Sequence, residues 1–268
     1  MAGQRIVVEL VVDGTEAELA ADALWLAGAS AVGEATGSDG RVRLTAEVDP
    51  AGLDDRWPWQ PVAVDDGVLD AWRAHARTVR AGRHVVLHPA WQPAPPVGEH
   101  DVVVRLDPGR AFGSGSHPST RLCAAALEAH LVPGQTVLDV GCGSGVLSVL
   151  AACLGASSAV AVDLDPVAVA ATEANAAANG VTDLVAVRAG SVDAVDGRFD
   201  VVVANIGLGV LRDLAPELVV RTAPGGLVVV AGLLPDQVEP VVAALAGCRE
   251  LERLEEEGWA ASVLRRGA

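Results

Sequence analysis

Apolar and polar positions in the first 60 residues alternate between strand and helix patterns. The elements follow in the order strand, helix, strand, strand, over residues 5–12, 15–28, 29–36 and 41–47. This order predicts a small α+β domain of the ferredoxin-like type over residues 1–60. Tryptophan and proline interrupt the pattern between residues 54 and 70, which predicts irregular structure, a domain boundary and a linker over residues 61–82.

A different pattern begins at residue 117, where strands alternate with helices. The predicted helices cover 118–130, 145–154, 166–179 and 208–221, and the predicted strands cover 136–140, 159–163, 184–189, 200–205 and 226–231. The strands are continuous apolar runs such as AVAV and VVVA, which are typical of strands covered on both faces. The alternation predicts an α/β fold with a parallel, doubly wound sheet.

The remaining segments complete a second domain over residues 83–268. Upstream, the pattern predicts a short linking helix over 71–80 and strands over 83–88 and 101–106. Downstream, residues 249–265 predict a closing pair of strands.

Composition limits the classes of function. The hydrophobic fraction of 51% is enough for a buried core, and the formal net charge of −16 argues against direct nucleic-acid binding. An acidic surface fits a basic protein partner, or serves solubility alone. The four cysteines lack metal-ligand spacing, which predicts reduced thiols and no metal. Without a membrane-length apolar run or a signal-peptide pattern, we expect a cytoplasmic protein with no membrane partner.

The most informative motif is a glycine-rich turn between a predicted strand and a predicted helix. In TVLDVGCGSG, Gly141, Gly143 and Gly145 permit positive φ and a close approach of the backbone to a ligand. The helix that follows offers N–H groups at its start. The spacing G-x-G-x-G differs from the G-x-G-x-x-G of dinucleotide-binding folds, so these three glycines predict another cofactor.

Three polar residues lie at the ends of later strands, where ligands bind in open α/β sheets. Asp163 is placed to accept both hydroxyls of a ribose; a role as an acid before the next helix is the alternative, which Asp165 fills better. Ser191 is placed to line the edge of an adenine site. Asn205 is placed to face both cofactor and substrate, or to cap a helix.

The loop DPGRAFGSGSHPST, residues 107–120, immediately precedes the first helix of this domain. It is rich in glycine and serine, and it also carries Phe112, His117 and Thr120. Such a loop has little regular structure of its own, and functional residues often lie on loops of this kind.

Together, DPGRAFGSGSHPSTRLC, VLDVGCGSGVLS, AVDLDP and VVVANI resemble the ribosomal protein L11 methyltransferase family of bacteria. The resemblance covers roughly residues 71–265, with Ser114 and Ser119 where the family usually has threonine. It implies a seven-strand methyltransferase domain that binds S-adenosylmethionine, and a small N-terminal domain that holds a ribosomal protein. By motif, the implied cofactor positions are Thr120, Gly141, Asp163 and Asn205.

The resemblance also implies the reaction, which is trimethylation of lysine ε-amines and of the N-terminal α-amine. We expect Asn205 to orient the amine and Phe112 to face the sulfonium or the substrate cation. His117 either relays a proton or packs on its own turn. Ile206 and Gly207 depart from the family's usual N-I-L or N-L-L, and this departure bears on the identity of the acceptor. The alternative is a methyltransferase of the same fold that acts on another protein or on a small molecule.

Overall fold

A computed structural model describes residues 6–27, 32–37, 40–48, 50, 53, 56–62, 76–109, 111, 113 and 115–268. The chain divides into two compact units, Met1–Ala74 and His75–Ala268. In the described part of the chain, none of the helices has the length and apolar character that a membrane crossing requires.

The first unit is built on a four-stranded antiparallel sheet. Its elements are β1 (Ile6–Asp13), a 3-10 turn (Gly14–Glu16), α1 (Ala17–Leu26), β2 (Val32–Thr36), β3 (Arg41–Val48) and β4 (Trp59–Pro61). The strand order is β2-β3-β1-β4. Alternate residues of β1 and β3, including Val8, Leu10 and Leu44, are buried with Leu24 of α1, so the unit has a core of its own. The ferredoxin-like assignment stays a prediction, because much of the segment between β3 and β4 lies outside the described residues.

Two predictions near the boundary between the units are wrong. The segment predicted as irregular contains β4, which pairs with β1 through Leu10 and Trp59. The helix predicted over 71–80 is absent from its described part, because residues 76–78 lack regular structure and Val79–Ala81 forms strand β5, inside the predicted linker. Both strands have three residues, which is too short for a periodic pattern to be recognised.

The second unit contains two sheets. A three-stranded sheet has the order β5-β6-β7, with β6 at Val85–Pro89 and β7 at Val102–Leu106. A seven-stranded sheet has the order β10-β9-β8-β11-β12-β14-β13. Its strands are β8 (Thr136–Val140), β9 (Ser158–Asp163), β10 (Val185–Ala189), β11 (Phe199–Asn205), β12 (Thr222–Leu233), β13 (Cys248–Glu256) and β14 (Trp259–Arg266). The strands from β8 to β12 pair in parallel, and the closing pair is antiparallel.

Helices cover both faces of the large sheet, which confirms the doubly wound α/β prediction. They are α2 (Pro118–His130), α3 (Val146–Cys153), α4 (Pro166–Ala178), α5 (Leu208–Arg221) and α6 (Val238–Ala244). Alternate strand residues belong to different cores: Val201 and Val203 pack with α2 and α3, whereas Val202 and Ala204 pack with α5 and α6. This alternation follows from the opposite directions of successive side chains in a strand.

Candidate active site

The predicted site residues on the strands and in the glycine-rich turn lie at one edge of the seven-stranded sheet. Strands β9, β8 and β11 are neighbours, and they end at Asp163, Val140 and Asn205. Because the three strands are parallel, their carboxyl ends and the connections that follow share that edge.

The glycine-rich turn after β8 is packed too closely for larger residues. Gly141 and Gly145 have φ values of 72° and 76°. A Cβ atom on Gly145 would lie 2.5 Å from Cγ2 of Thr172, and one on Gly141 would collide with Cγ2 of Ile206. Glycine is therefore required here by both the backbone conformation and the neighbouring side chains.

The side chain of Asp163 contacts this turn directly. Its Oδ2 accepts a hydrogen bond from the N–H of Gly143 at 2.9 Å, and its Oδ1 accepts one from the N–H of Asp165 at 2.9 Å. A carboxylate offers about four acceptor sites, so capacity remains for the two hydroxyls of a ribose. The N–H of Gly190 donates to the C=O of Asp163, which places Ser191 just beyond the neighbouring strand end.

A second carboxylate, Asp139 on β8, is buried beneath the turn with 1% of its surface exposed. Its Oδ2 accepts hydrogen bonds from the N–H and the hydroxyl of Ser148, which tie the strand to the first turns of α3. The pKa of Asp139 is raised to about 6, chiefly by burial and to a smaller extent by the nearby charge of Asp163, against the lowering effect of the hydrogen bonds from Ser148.

We expect Asp139→Asn to raise the free energy of unfolding at pH 7.5 by about 1–2 kcal/mol. The folded-state pKa near 6 lies above that of an unfolded aspartate. The folded protein therefore binds the proton more tightly, and stability is lost as the pH rises through that pKa. Asparagine removes the buried charge and keeps an oxygen that can accept from Ser148, although with weaker hydrogen bonds.

Denaturant unfolding at several pH values between 4 and 8 measures this effect. The matched control is Ser148→Ala, which leaves the charge and removes the hydroxyl, and it should destabilise the protein more at pH 7.5 than at pH 4. If Asp139→Asn lowers the free energy of unfolding at pH 7.5, the buried charge of Asp139 does not destabilise the folded protein, and the prediction is wrong.

Thr120 and Asn205 are adjacent, as expected for residues of one site. Nδ2 of Asn205 donates to Oγ1 of Thr120 at 3.3 Å, across 85 positions of sequence. Thr120 is 1% exposed in the first turn of α2, and Asn205 is half-buried at the end of β11. Because Nδ2 of Asn205 donates to Thr120, the side-chain oxygen of Asn205 is the atom that can accept a hydrogen bond from a ligand.

His117 occupies the N-cap of α2. Its Nδ1 accepts a hydrogen bond from the N–H of Ser119 at 3.3 Å, and it lies 2.8 Å from the hydroxyl of that residue. Its ring packs edge-on against Trp259, with ring centroids 4.5 Å apart. Burial, followed by the nearby Arg121, lowers the pKa of His117, so the neutral form prevails at pH 7. Phe112 lies outside the described residues.

The turn between β13 and β14 holds the start of α2 in place, a contact that sequence reasoning missed. Nε of Arg121 donates to both carboxylate oxygens of Glu256 at 3.2 Å, and Nη2 donates to Glu257 at 2.9 Å. Nη1 donates to the C=O of Ser116 at the end of the loop. Because Arg121 follows Thr120 directly, these bonds also fix the threonine that contacts Asn205.

Two buried polar residues of α4 were also missed. Oγ1 of Thr172 donates to the C=O of Gly143 at 3.0 Å, and Nδ2 of Asn175 donates to the C=O of Ser144 at 2.9 Å. The signal was the spacing of polar residues 172, 175 and 179, which places them on one side of a helix.

Known proteins of one family match most of this chain. The family model described as ribosomal protein L11 methyltransferase (PrmA) matches residues 45–267. A protein named ribosomal protein L11 methyltransferase from Pelotomaculum thermopropionicum is 46% identical over 199 residues, which cover 73% of this chain and 64% of that relative. A protein of the same name from Cupriavidus taiwanensis is 42% identical over 225 residues, 83% of this chain and 74% of that relative. The chain thus spans less than two thirds of the first relative's length.

A solved structure with a title of the same family also matches this chain. The crystal structure titled ribosomal protein L11 methylase from Lactobacillus delbrueckii subsp. bulgaricus superposes with a TM-score of 0.66 at 35% identity. The match covers 71% of this chain and 99% of that one. On the extent of the family match, this chain belongs to the ribosomal protein L11 methyltransferase family.

Proposed function

We propose that this chain is an S-adenosylmethionine-dependent protein methyltransferase that acts on amines of ribosomal protein L11. The observation that carries the proposal is the pairing of Gly143 with Asp163 and of Thr120 with Asn205 at one sheet edge. Family membership adds the class of reaction and the acceptor, since the relatives bear the name ribosomal protein L11 methyltransferase.

The residues present fit the cofactor. Asp163 keeps acceptor sites for the ribose hydroxyls, Gly141, Gly143 and Gly145 allow a close backbone approach, and Ser191 is positioned for the adenine edge. S-adenosylmethionine supplies an electrophilic methyl group when it is bound. The chain's own residues then have to align an amine and keep it neutral.

Neutrality of the amine is the main energetic demand on this site. A lysine ε-amine has a pKa of about 10.4, so about 4 in 10,000 are neutral at pH 7, a cost of about 4.6 kcal/mol. Desolvation in a pocket lowers that pKa and favours the neutral form. We propose that the side-chain oxygen of Asn205 aligns the amine. We propose that Phe112 faces the sulfonium of the cofactor or the substrate cation. His117 caps α2 through Nδ1, and its role is either to relay a proton or to pack on its own turn.

We expect Asn205→Ala to lower kcat by about tenfold or more, since a lost transition-state contact of about 1.4 kcal/mol corresponds to tenfold in rate. The measurement is turnover at saturating cofactor and acceptor. Thr120→Ser is the matched control, because it keeps the hydroxyl that accepts from Asn205, and it should retain most of the turnover. Wild-type kcat in Asn205→Ala would remove this residue from the catalytic role.

The proposed acceptor is tested by incubating purified ribosomal protein L11 with S-adenosylmethionine and this protein, and measuring intact mass. We expect mass gains of whole methyl groups, mapped by peptide analysis to lysine ε-amines and the N-terminal α-amine. Asp163→Ala serves as the control and should transfer far less methyl. If L11 stays unmodified while S-adenosylmethionine binds, the acceptor assignment is wrong and the reaction class stands.

The second candidate is the same reaction on another protein or a small molecule. It is favoured by Ile206 and Gly207, which follow Asn205 directly and depart from the N-I-L or N-L-L of the family. Incubation with a cell extract and labelled cofactor distinguishes the two candidates. We propose that the acceptor is a protein and that the enzyme meets it in the cytoplasm. The net charge of −16 argues against direct contact with nucleic acid.

A further inference from the structure

Two asparagines of the α4 region hydrogen-bond to the backbone of the strand that leads into the loop. Oδ1 of Asn179 accepts from the N–H of Arg105 at 2.8 Å, and its Nδ2 donates to the C=O of Arg105 at 2.7 Å. Asn175 makes the same pair of bonds with Asp107, at 2.9 and 3.1 Å. Strand β7 is an edge strand, so these amides bond to backbone groups that no neighbouring strand reaches.

The spacing of the two asparagines matches the spacing of the backbone groups that they bind. Residues four apart in a helix are separated by about 6 Å along its axis. Residues two apart in a strand are separated by about 6.6 Å and direct their N–H and C=O groups to the same side. Asn175 and Asn179 therefore reach alternate residues of one strand edge.

Each asparagine makes a third bond, and only that of Asn175 reaches the glycine-rich turn, because Nδ2 of Asn179 donates to the C=O of Asn175 at 2.7 Å. The second amide hydrogen of Asn175 reaches the C=O of Ser144 in the glycine-rich turn at 2.9 Å. The side chain is 1% exposed and uses both hydrogens and its oxygen. The hydroxyl of Ser144 in turn donates to the C=O of Gly113 in the loop at 2.6 Å. Loop and turn are thus joined at two points, and Asn175 joins them at the base of the loop.

We propose that Asn175 is a positioning residue for cofactor binding, because it sets the loop that begins at Asp107 against the glycine-rich turn. The inference rests on the proposed function, in which that turn and the start of α2 hold S-adenosylmethionine. Asn179 supports the same strand but does not bond to the turn, so it stabilises the fold without setting the site.

The test compares Asn175→Asp with Asn179→Asp in the full chain. Each change keeps an oxygen for the backbone N–H and replaces the amino group by an oxygen that faces backbone carbonyls. We expect Asn175→Asp to weaken S-adenosylmethionine binding by about tenfold in calorimetry, and Asn179→Asp to change it by less than about twofold. Both variants should lower the melting temperature. Equal affinity losses in the two variants would overturn the proposal.

Amide hydrogen exchange without cofactor provides an independent readout. In Asn175→Asp, exchange should accelerate at both Asp107 and the turn that contains Gly143 and Ser144, whereas Asn179→Asp should leave the turn unchanged. If Asn175→Asp does not fold, Asn175→Ala takes its place in both measurements. A wild-type protein that binds no S-adenosylmethionine would refute the proposed function. In that case, faster exchange in the turn of the Asn175 variant alone would still support the positioning, and no difference would overturn it.

Discussion

Asp163→Ala is expected to weaken S-adenosylmethionine binding by about 10- to 100-fold. Hydrogen bonds to a charged group contribute about 1.5–3 kcal/mol, and 1.4 kcal/mol corresponds to tenfold in affinity. The change removes the proposed ribose acceptor and also the bond that holds the N–H of Gly143. Both losses act on the same ligand site, so the effect on affinity should exceed the effect on stability.

Asp165→Ala is the matched control, because it removes a carboxylate only two residues away. Asp165 caps α4 by accepting from the N–H of Val167 at 2.8 Å. Its loss should cost about 1 kcal/mol of stability and leave cofactor affinity near that of the wild type. Calorimetry with S-adenosylmethionine and with NAD measures both variants. Unchanged affinity in Asp163→Ala, or binding of NAD by the wild type, would contradict the assignment.

Elements with strong local signals could be predicted from the sequence with their bounds. The predicted bounds of α2, β8 and α5 agree with the structure. The start of α2 is determined locally, because His117 caps the helix and Pro118 suits its first position. The apolar run of β8 is bounded by a polar residue on one side and by glycine on the other.

Short elements could not be predicted, because their stability comes from their neighbours. Helix α6 has seven residues, and Val238 and Val241 pack into a core built mainly by other elements. β4 and β5 have three residues each and lie at sheet edges. Isolated segments of this length are unstable, so their sequences carry little preference for one structure.

Some residues of the site could be predicted from the sequence and others could not. Asp163 and Asn205 could be predicted because a strand end in a parallel sheet has a known place in the fold. The spacing of Asn175 indicates a polar side of α4, but the partners of Arg121 and Asn175 could not be predicted, because they are backbone groups or carboxylates that are distant in sequence. Glu256, for example, is 135 positions from Arg121. Only the folded structure brings such groups together.

A chain that begins at His75 is expected to keep cofactor binding and to lose methylation of ribosomal protein L11 by more than about 100-fold, the equivalent of about 2.7 kcal/mol of lost acceptor binding. Every residue proposed for the cofactor or the amine lies between positions 112 and 205. In the part of the chain that the structure describes, the two large cores of the second unit are built from residues Val79 onward, and the first unit has a core of its own. The second unit therefore has what it needs to fold alone.

Calorimetry with S-adenosylmethionine and intact-mass analysis of L11 separate the two effects. The control acceptor is a short peptide with the N-terminal residues of L11, which reaches the active site without a large protein surface. The truncated and full chains should methylate this peptide at similar rates, because alignment and desolvation of the amine depend on the second unit alone. We infer from the family resemblance that residues 1–60 hold the acceptor, and methylation of whole L11 by the truncated chain at the full rate would refute this. Loss of cofactor binding on truncation would instead show that the first unit supports the cofactor site.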